Sequence, residues 1–236
     1  MVQPSEHVAK GVHMDKSEWS TEIETELDFW EKWIATKGGK WPDDYSFRIQ
    51  FDSVINEQLS NYIKTFFPPG DIDILDVGAG PLSCLGKTLN NYVINITAVD
   101  ALANYYRELR FGFKPPVITE YCDSENLNEK FGDNRFHISH ARNTLDHSYD
   151  PLKAIDQMIR VTKIGGLIIT HHEANEALRA NWNGFHKWNF YIGKNGFTLS
   201  SKHNIFNINE LIKQKVKIVY QSEPNSEWIF TVWQKI

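Results

Sequence analysis

The stretch Ile72-Asp73-Ile74-Leu75-Asp76-Val77-Gly78-Ala79-Gly80-Pro81-Leu82-Ser83-Cys84-Leu85-Gly86 decides how the chain is read. A short apolar run ends in an acid, two glycines follow one residue apart, and apolar residues then recur at helical spacing. The pattern predicts strand, tight turn, helix. A chain that turns sharply off a strand and lets a ligand approach its backbone cannot carry side chains there, which accounts for Gly78 and Gly80. The first turn of the expected helix would point free amides into the crevice, so the stretch predicts a nucleotide-type site. A dinucleotide fingerprint would place a third glycine at position 83, where the chain has Ser83, and the nicotinamide reading is weakened accordingly.

Gly80 lies twenty residues before Asp100, which closes a second apolar run from Tyr92. In doubly wound folds an acid at about that offset, ~20 residues on, accepts two hydrogen bonds from the vicinal diol of a ribose, and it would repel a phosphate there.

With both acids in view, the chain resembles the core of the class I S-adenosylmethionine-dependent methyltransferases. Asp76 to Gly80 matches that family's first motif, Val99-Asp100 its ribose acid, and Tyr121 to Leu127 its adenine-flanking motif. The pattern continues through Asn143 to Pro151 and Ile159 to Ile169, so five motifs stand in order over about residues 70 to 172. The resemblance implies an α/β fold: a doubly wound, mostly parallel seven-stranded Rossmann-like sheet closed by a C-terminal antiparallel hairpin. It implies S-adenosylmethionine as cofactor, with Asp76, Gly78, Ala79 and Gly80 at its methionine end. Asp100 and Ala101 would meet the ribose, Asp123 and Ser124 the adenine, and Asn143 is a further residue on the cofactor side.

Size and composition bound the rest. At 236 residues, 41% hydrophobic, the chain suits one α/β unit with an elaboration. A net charge of -5 argues against a broad polyanion-binding face, so a small-molecule acceptor is expected and nucleic acid is not. Cys84 and Cys122 read as thiols of a cytosolic enzyme, and no apolar run approaches membrane-spanning length, so a cytoplasmic protein without a membrane partner is expected.

In chain order, residues 1 to 16 lack periodicity and predict a loosely packed start. A helix from about Thr21 places Trp30, Trp33 and Ile34 on one face and stops at Gly38-Gly39. A second helix is expected at about 52 to 66. The resemblance implies that residues 1–70 are a helical extension that caps the pocket, and 71–236 the core, with a substrate-side insertion at about 172–209. Core strands are expected near 72–77, 93–99, 117–121, 135–139 and 166–171, and helices near 82–90, 102–110 and 151–162. A short helix at 208–213 and a closing hairpin from Val216 to Trp233 complete the chain.

Methyl transfer needs an acceptor nucleophile in line with the sulfonium methyl, and a hydroxyl acceptor gains from a base. Histidine suits that role. Among His140, His147, His171, His172 and His186, the expected catalytic residues are His172, His147 and His186. The run His172 to Glu176, with Gly184 to Phe190, resembles a subset of bacterial small-molecule methyltransferases, some found near surface-polysaccharide genes. That resemblance favours His172, Asn175, Glu176 and His186 on the substrate side; Trp188, open as lid, pocket wall or core, is a further substrate candidate, as are Trp41 and Arg48 from the N-terminal segment. No metal is expected: His171, His172 and Glu173 are adjacent, which a strand does not present on one face, and a His-Glu-x-x-His spacing is absent. Asn143 opens Asn-Thr-Leu-Asp rather than the Asn-Pro-Pro-Tyr type used on planar amines. The expected reaction is therefore O-methylation of a sugar or of a phosphorylated or nucleotide-linked carbohydrate precursor. N-methylation of a small molecule, a nicotinamide-dependent oxidoreductase, and a silent subunit working through a partner are the rivals.

Overall fold

A computed structural model describes residues 14–236. Of the loosely packed start expected at 1–16, residues 1–13 lie outside the described residues. Met14 is already buried, and its N–H bonds the Tyr149 carbonyl at 2.9 Å.

Four helices open the described chain: α1 (Lys16–Ser20), α2 (Ile23–Ala35), α3 (Pro42–Arg48) and α4 (Glu57–Phe66). The alternating part follows with β1 (Gly70–Val77), β2 (Tyr92–Asp100), α5 (Ala103–Tyr106), β3 (Thr119–Tyr121), α6 (Leu127–Phe131), β4 (Phe136–Arg142), α7 (Pro151–Val161) and β5 (Thr162–Glu173). After α8 (Glu176–Arg179) come β6 (Asn189–Gly193), β7 (Gly196–Ser200) and β8 (Ile205–Asn207). Helix α9 (Ile208–Ile212) and the hairpin β9 (Val216–Gln221) and β10 (Trp228–Lys235) end the chain.

Seven strands make one sheet in the order β3-β2-β1-β4-β5-β10-β9, parallel except where β10 pairs with β5 and β9. Period-two alternation in β1 sends Ile72 and Ile74 to one buried face and Leu75 and Val77 to the other. Helix α4 covers the first face through Leu59 and Ile63, its N-terminus capped by Asn56 at 2.9 Å from the Leu59 N–H. Helix α7 covers the second with Ala154, Ile155 and Met158. It starts on Pro151 and is capped by Asp150.

The helix expected at 82–90 does not form. The segment instead runs extended beside residues 53–55, with the Ile55 N–H bonded to the Thr88 carbonyl at 2.9 Å and the Lys87 N–H to the Ser53 carbonyl at 2.6 Å. Ser83 ties it down by bonding Asp76 and accepting from the Leu85 N–H. The leucine spacing that suggested a helix serves other neighbours: Leu85 and Leu89 pack with α4, Leu82 with Trp33 and Tyr45. The helix expected at 102–110 is one turn, because Leu109, Phe111 and Phe113 leave the helical path to pack on that same Trp33-Tyr45 cluster. Residues 189–207, read only as an aromatic-rich insertion, form a three-stranded antiparallel sheet whose first turn has Gly193 opposite Gly196. Phe190, Phe197 and Leu199 join it to the main core beside Trp233. Among the described residues no helix is long and apolar enough to cross a membrane.

A Cβ at Gly86 would overlap the Ile55 backbone. Gly86→Ala is therefore expected to destabilise the protein by about 1–3 kcal/mol in urea unfolding, as overpacking does. In a helix the same change would stabilise by up to about 1 kcal/mol, so a gain in stability would restore the helical reading.

Candidate active site

The strand order reverses between β1 and β4, and the crevice at such a switch point is where open α/β sheets bind ligands. A cavity of about 590 Å³ opens there, floored by the carboxyl ends of β1, β2 and β4 and walled by Glu26, Trp30 and Trp41 from the N-terminal helices. That volume suits a cofactor-sized ligand.

The turn after β1 holds Gly78 at φ +63° and Gly80 at φ +64°, a region that side chains disfavour. A Cβ at Gly78 would fall inside the Thr144 side chain, and one at Gly80 would sit 2.6 Å from the Trp30 ring. Both glycines line the cavity with Ala79. The turn is braced to β2: the Ala79 N–H bonds the Val99 carbonyl at 3.0 Å, and the Gly80 N–H bonds Asp100 Oδ2 at 3.0 Å. Asp100 Oδ1 accepts from the Leu102 N–H at 2.8 Å. Burial pushes the Asp100 carboxyl up to about 6, against the opposing pull of those two amides. At Asp76, Ser83 Oγ lies 2.6 Å from one carboxylate oxygen and His140 Nδ1 3.0 Å from the other. Ser83, standing where a third glycine would be, fixes that carboxylate.

Beyond β3, Ser124 lines the cavity with Glu125, whereas Asp123 does not. The Asp123 carboxylate turns to Lys16 and to the hydroxyls of Tyr121 (3.2 Å) and Tyr149 (3.5 Å). Ala101 and Asn143 do line the cavity. Asn143 takes φ +49°, and its Oδ1 accepts from the Glu173 N–H at 3.0 Å, tying β4 to β5.

The histidines separate sharply. His147 and His186 line the cavity and meet edge to face at 4.7 Å between ring centroids. Between them stands Asp146, 2% exposed, with Oδ2 2.8 Å from His186 Nδ1 and 3.4 Å from His147 Nε2. Burial would raise the Asp146 carboxyl, but His147 and His186 outweigh it and hold it below the ordinary carboxylate value. Burial would lower His186, but Asp146 and Glu176 hold it above the ordinary imidazole value. His172 does not reach the cavity. Strand alternation turns it inward at 1% exposure, stacked 4.7 Å from Phe190, where burial pulls its pKa down to about 4.

Of the substrate-side expectations, Trp41, Arg48 and Glu176 line the cavity, and Asn175 and Trp188 do not. Asn175 is exposed and left-handed at φ +59°, accepting from Asn189 at 3.0 Å. Trp188 is buried, and its indole N–H bonds the Ser148 carbonyl at 2.6 Å, while Trp19 bonds the His147 carbonyl at 2.7 Å. These two tryptophans pin the segment that carries His147. Arg48 holds α3 on the turn, donating to Asp44 and to the Leu82 carbonyl, each at 2.9 Å.

Sequence reasoning missed Glu26, Asp146, Arg142 and Trp228. Glu26 stands one helical turn before Trp30, whose indole N–H it accepts at 2.8 Å. Asp146 lay within the Asn143 to Pro151 motif beside a histidine already singled out, which was its available signal. Arg142 and Trp228 meet across β4, β5 and β10, at 5.6 Å from guanidinium to ring, and no local pattern announces that.

Residues 75–170 match the family described as methyltransferase domain. No curated protein matches the sequence. Among solved structures, a S-adenosylmethionine-dependent methyltransferase from Thermotoga maritima aligns at TM-score 0.54 and 14% identity, over 92% of this chain and 100% of that one. A TehB-like methyltransferase from Corynebacterium glutamicum gives 0.52 and 14% over the same shares. A chain of the complex that contains the Haloferax volcanii Trm112 methyltransferase activator gives 0.54 and 10%, over 90% of this chain and 97% of that one. At these identities the likeness shows the fold. Residues 75–170 are thus a methyltransferase domain on the fold of S-adenosylmethionine-dependent methyltransferases, and S-adenosylmethionine is the cofactor that the domain match supports. The donor set fits that molecule: a turn after β1 with glycine at 78 and 80, and a half-buried carboxylate closing β2 in the same cavity.

Glu125 supplies a pH test. Burial pushes its carboxyl up to about 7 from the ordinary 4.5, against bonds from the Asp150 N–H and Ser124. An acid raised in the folded state costs stability as pH climbs from its unfolded to its folded value. Glu125→Gln should therefore gain on the wild type between pH 4.5 and 7, by up to about 3 kcal/mol. A difference in unfolding free energy that stays flat across that window would place the carboxyl in a polar setting instead.

Proposed function

We propose that the enzyme methylates a hydroxyl of a small polar acceptor, a sugar or carbohydrate precursor, seated between the His147-Asp146-His186 cluster and the N-terminal helices. The observation that carries this reading is the pair of imidazoles ordered around one buried carboxylate in the same cavity as the glycine turn and Asp100. S-adenosylmethionine supplies the electrophilic methyl. Asp100 would accept from the ribose hydroxyls, chiefly on Oδ2, which has one backbone donor, while Oδ1 already takes bonds from the Leu102 N–H and the Tyr106 hydroxyl. The backbone at Gly78 and Gly80 leaves room for the methionine end, while Asp76, fixed by Ser83 and His140, supplies negative charge beside it. Ser124 and Glu125 are better placed for the adenine than Asp123. The His147-Asp146-His186 cluster is where the acceptor proton leaves. His172, Asn175 and Trp188 support the walls from behind.

Charge narrows the acceptor. Seven carboxylates line the cavity (Glu26, Asp44, Asp76, Asp100, Glu125, Glu173, Glu176) against the guanidiniums of Arg48 and Arg142. Such a surplus attracts a sulfonium and opposes an anion, so a neutral carbohydrate is favoured over a phosphorylated or nucleotide-linked one. The same surplus favours a second reading, methylation of a small amine. In this account residues up to 70 act as the cap, 71–236 as the catalytic unit, and 172–209 as its acceptor-side insertion. Two unbonded thiols, Cys84 and Cys122, support a reducing, cytoplasmic setting.

Release of S-adenosylhomocysteine from a panel of neutral sugars, sugar phosphates and amines decides among these acceptors. Turnover confined to phosphorylated sugars would defeat the charge argument. Asp100→Ala should weaken S-adenosylmethionine binding by about 10- to 150-fold in calorimetry, from losing charged hydrogen bonds of about 1.5–3 kcal/mol. Unchanged affinity would move the ribose elsewhere. His147→Ala and His186→Ala should bind the cofactor almost as tightly as the wild type while turnover falls by about 10²–10⁴. Loss of cofactor binding in step with turnover would assign the pair to the cofactor instead.

A further inference from the structure

We infer that Asp146, His147 and His186 form a binding site for one divalent transition-metal ion of the zinc type, open to the cavity and placed to polarise the acceptor hydroxyl, whose proton then passes to the neighbouring Glu176 carboxylate and not to a ligating imidazole. The polarising role rests on the acceptor reading above; the ion site itself does not.

One ligand atom from each of the three residues falls within 4.8 Å of the others. The separations from Asp146 Oδ2, 2.8 Å to His186 Nδ1 and 3.4 Å to His147 Nε2, bracket the ~3.3 Å expected between ligands held about 2.0–2.1 Å from one tetrahedral ion. Adjacent residues serve here, as they would not on a strand, because Leu145–His147 is a tight helical turn. The histidine that completes the set lies forty residues on, which is why no spacing in the sequence announces it.

Three buried polar atoms at this spot lack a hydrogen-bond partner: Asp146 Oδ1, His147 Nε2 and Glu176 Oε2. Each can offer a lone pair. A carboxylate as buried as Asp146, with one oxygen unpaired, is costly, and a cation on its Oδ2 would offset that charge. A metal-free relay would need only one imidazole, and an ion accounts for both, with His147 Nε2 as one of its ligands.

The outer nitrogens of the rings complete the pattern. His147 Nδ1 faces Glu26 Oε2 at 3.9 Å, and His186 Nε2 faces Glu176 Oε1 at 4.0 Å. Each carboxylate stands behind its imidazole at ion-pair range, beyond a hydrogen bond, and adds negative charge near a bound cation. His147 is further fixed by stacking on Phe185 at 5.6 Å. Two nitrogens and a carboxylate suit zinc and its neighbours better than magnesium or calcium, which prefer oxygen alone. Three protein ligands at a cavity wall leave a position for an acceptor oxygen, as catalytic zinc sites do.

The test is calorimetric titration of Zn²⁺ into the chelator-stripped full-length protein, with Co²⁺ absorption as a report of coordination and S-adenosylmethionine binding measured alongside. One equivalent should bind with a dissociation constant below about 1 μM, weakened about 100-fold or more in His147→Gln and in His186→Gln. Cofactor affinity should hold in both variants, which also shows that they are folded. No stoichiometric binding, or binding that survives in the double variant, would overturn the site. Zinc bound at the cluster without methyl transfer to any acceptor upholds the site and removes the acceptor reading. Undiminished turnover in metal-free protein overturns the ion's part in the reaction and leaves methyl transfer standing.

Discussion

The structure depends on a close approach that only glycine permits: Thr144 fills the space where a side chain at Gly78 would lie, and Trp30 the space beside Gly80. Thr144 follows β4 and Trp30 belongs to α2, so one turn draws the switch point and the N-terminal helices together. The bonds from Ala79 and Gly80 to β2 hold it in register with Asp100. Helix α3 then docks on the loop beyond through Arg48, and the cavity is what remains between helices and strand ends.

Electrostatics gives that cavity its chemistry. Carboxylates taken out of water are unfavourable unless answered by donors or by positive charge. Asp76 is answered by Ser83 and His140, and Asp146 by two imidazoles on one of its oxygens. Asp100 and Glu125, answered mainly by amides, keep carboxyls raised to about 6 and about 7. A site built this way favours a cationic cofactor over an anionic one, in line with a sulfonium and against a pyrophosphate.

What could be read from the sequence was local. The run into Asp76, the glycine turn and the twenty-residue offset to Asp100 each follow from contiguous pattern, and the five parallel strands fall near the positions expected along the chain. Residues 82–90 carried a helical leucine spacing, yet their backbone partners are Ser53 and Ile55, some thirty residues earlier, and no window of sequence contains both. Asp123 was expected at the adenine but is held by Lys16, 107 residues away. His172 and His186 looked alike as single residues. Only strand alternation and the fold of the insertion bury one and bring the other to Asp146. The three-stranded sheet of residues 189–207 was not resolved within the insertion expected at 172–209, and its Phe190 and Phe197 pack on the core.

The most direct measurement is a crystal structure of the protein with S-adenosylhomocysteine. The ribose hydroxyls should lie on Asp100, the adenine against Ser124, and the sulfur should face His147 and His186 across open cavity. A product molecule bound with its sulfur turned away from that pair, or bound outside the cavity, would contradict the assignment of the site.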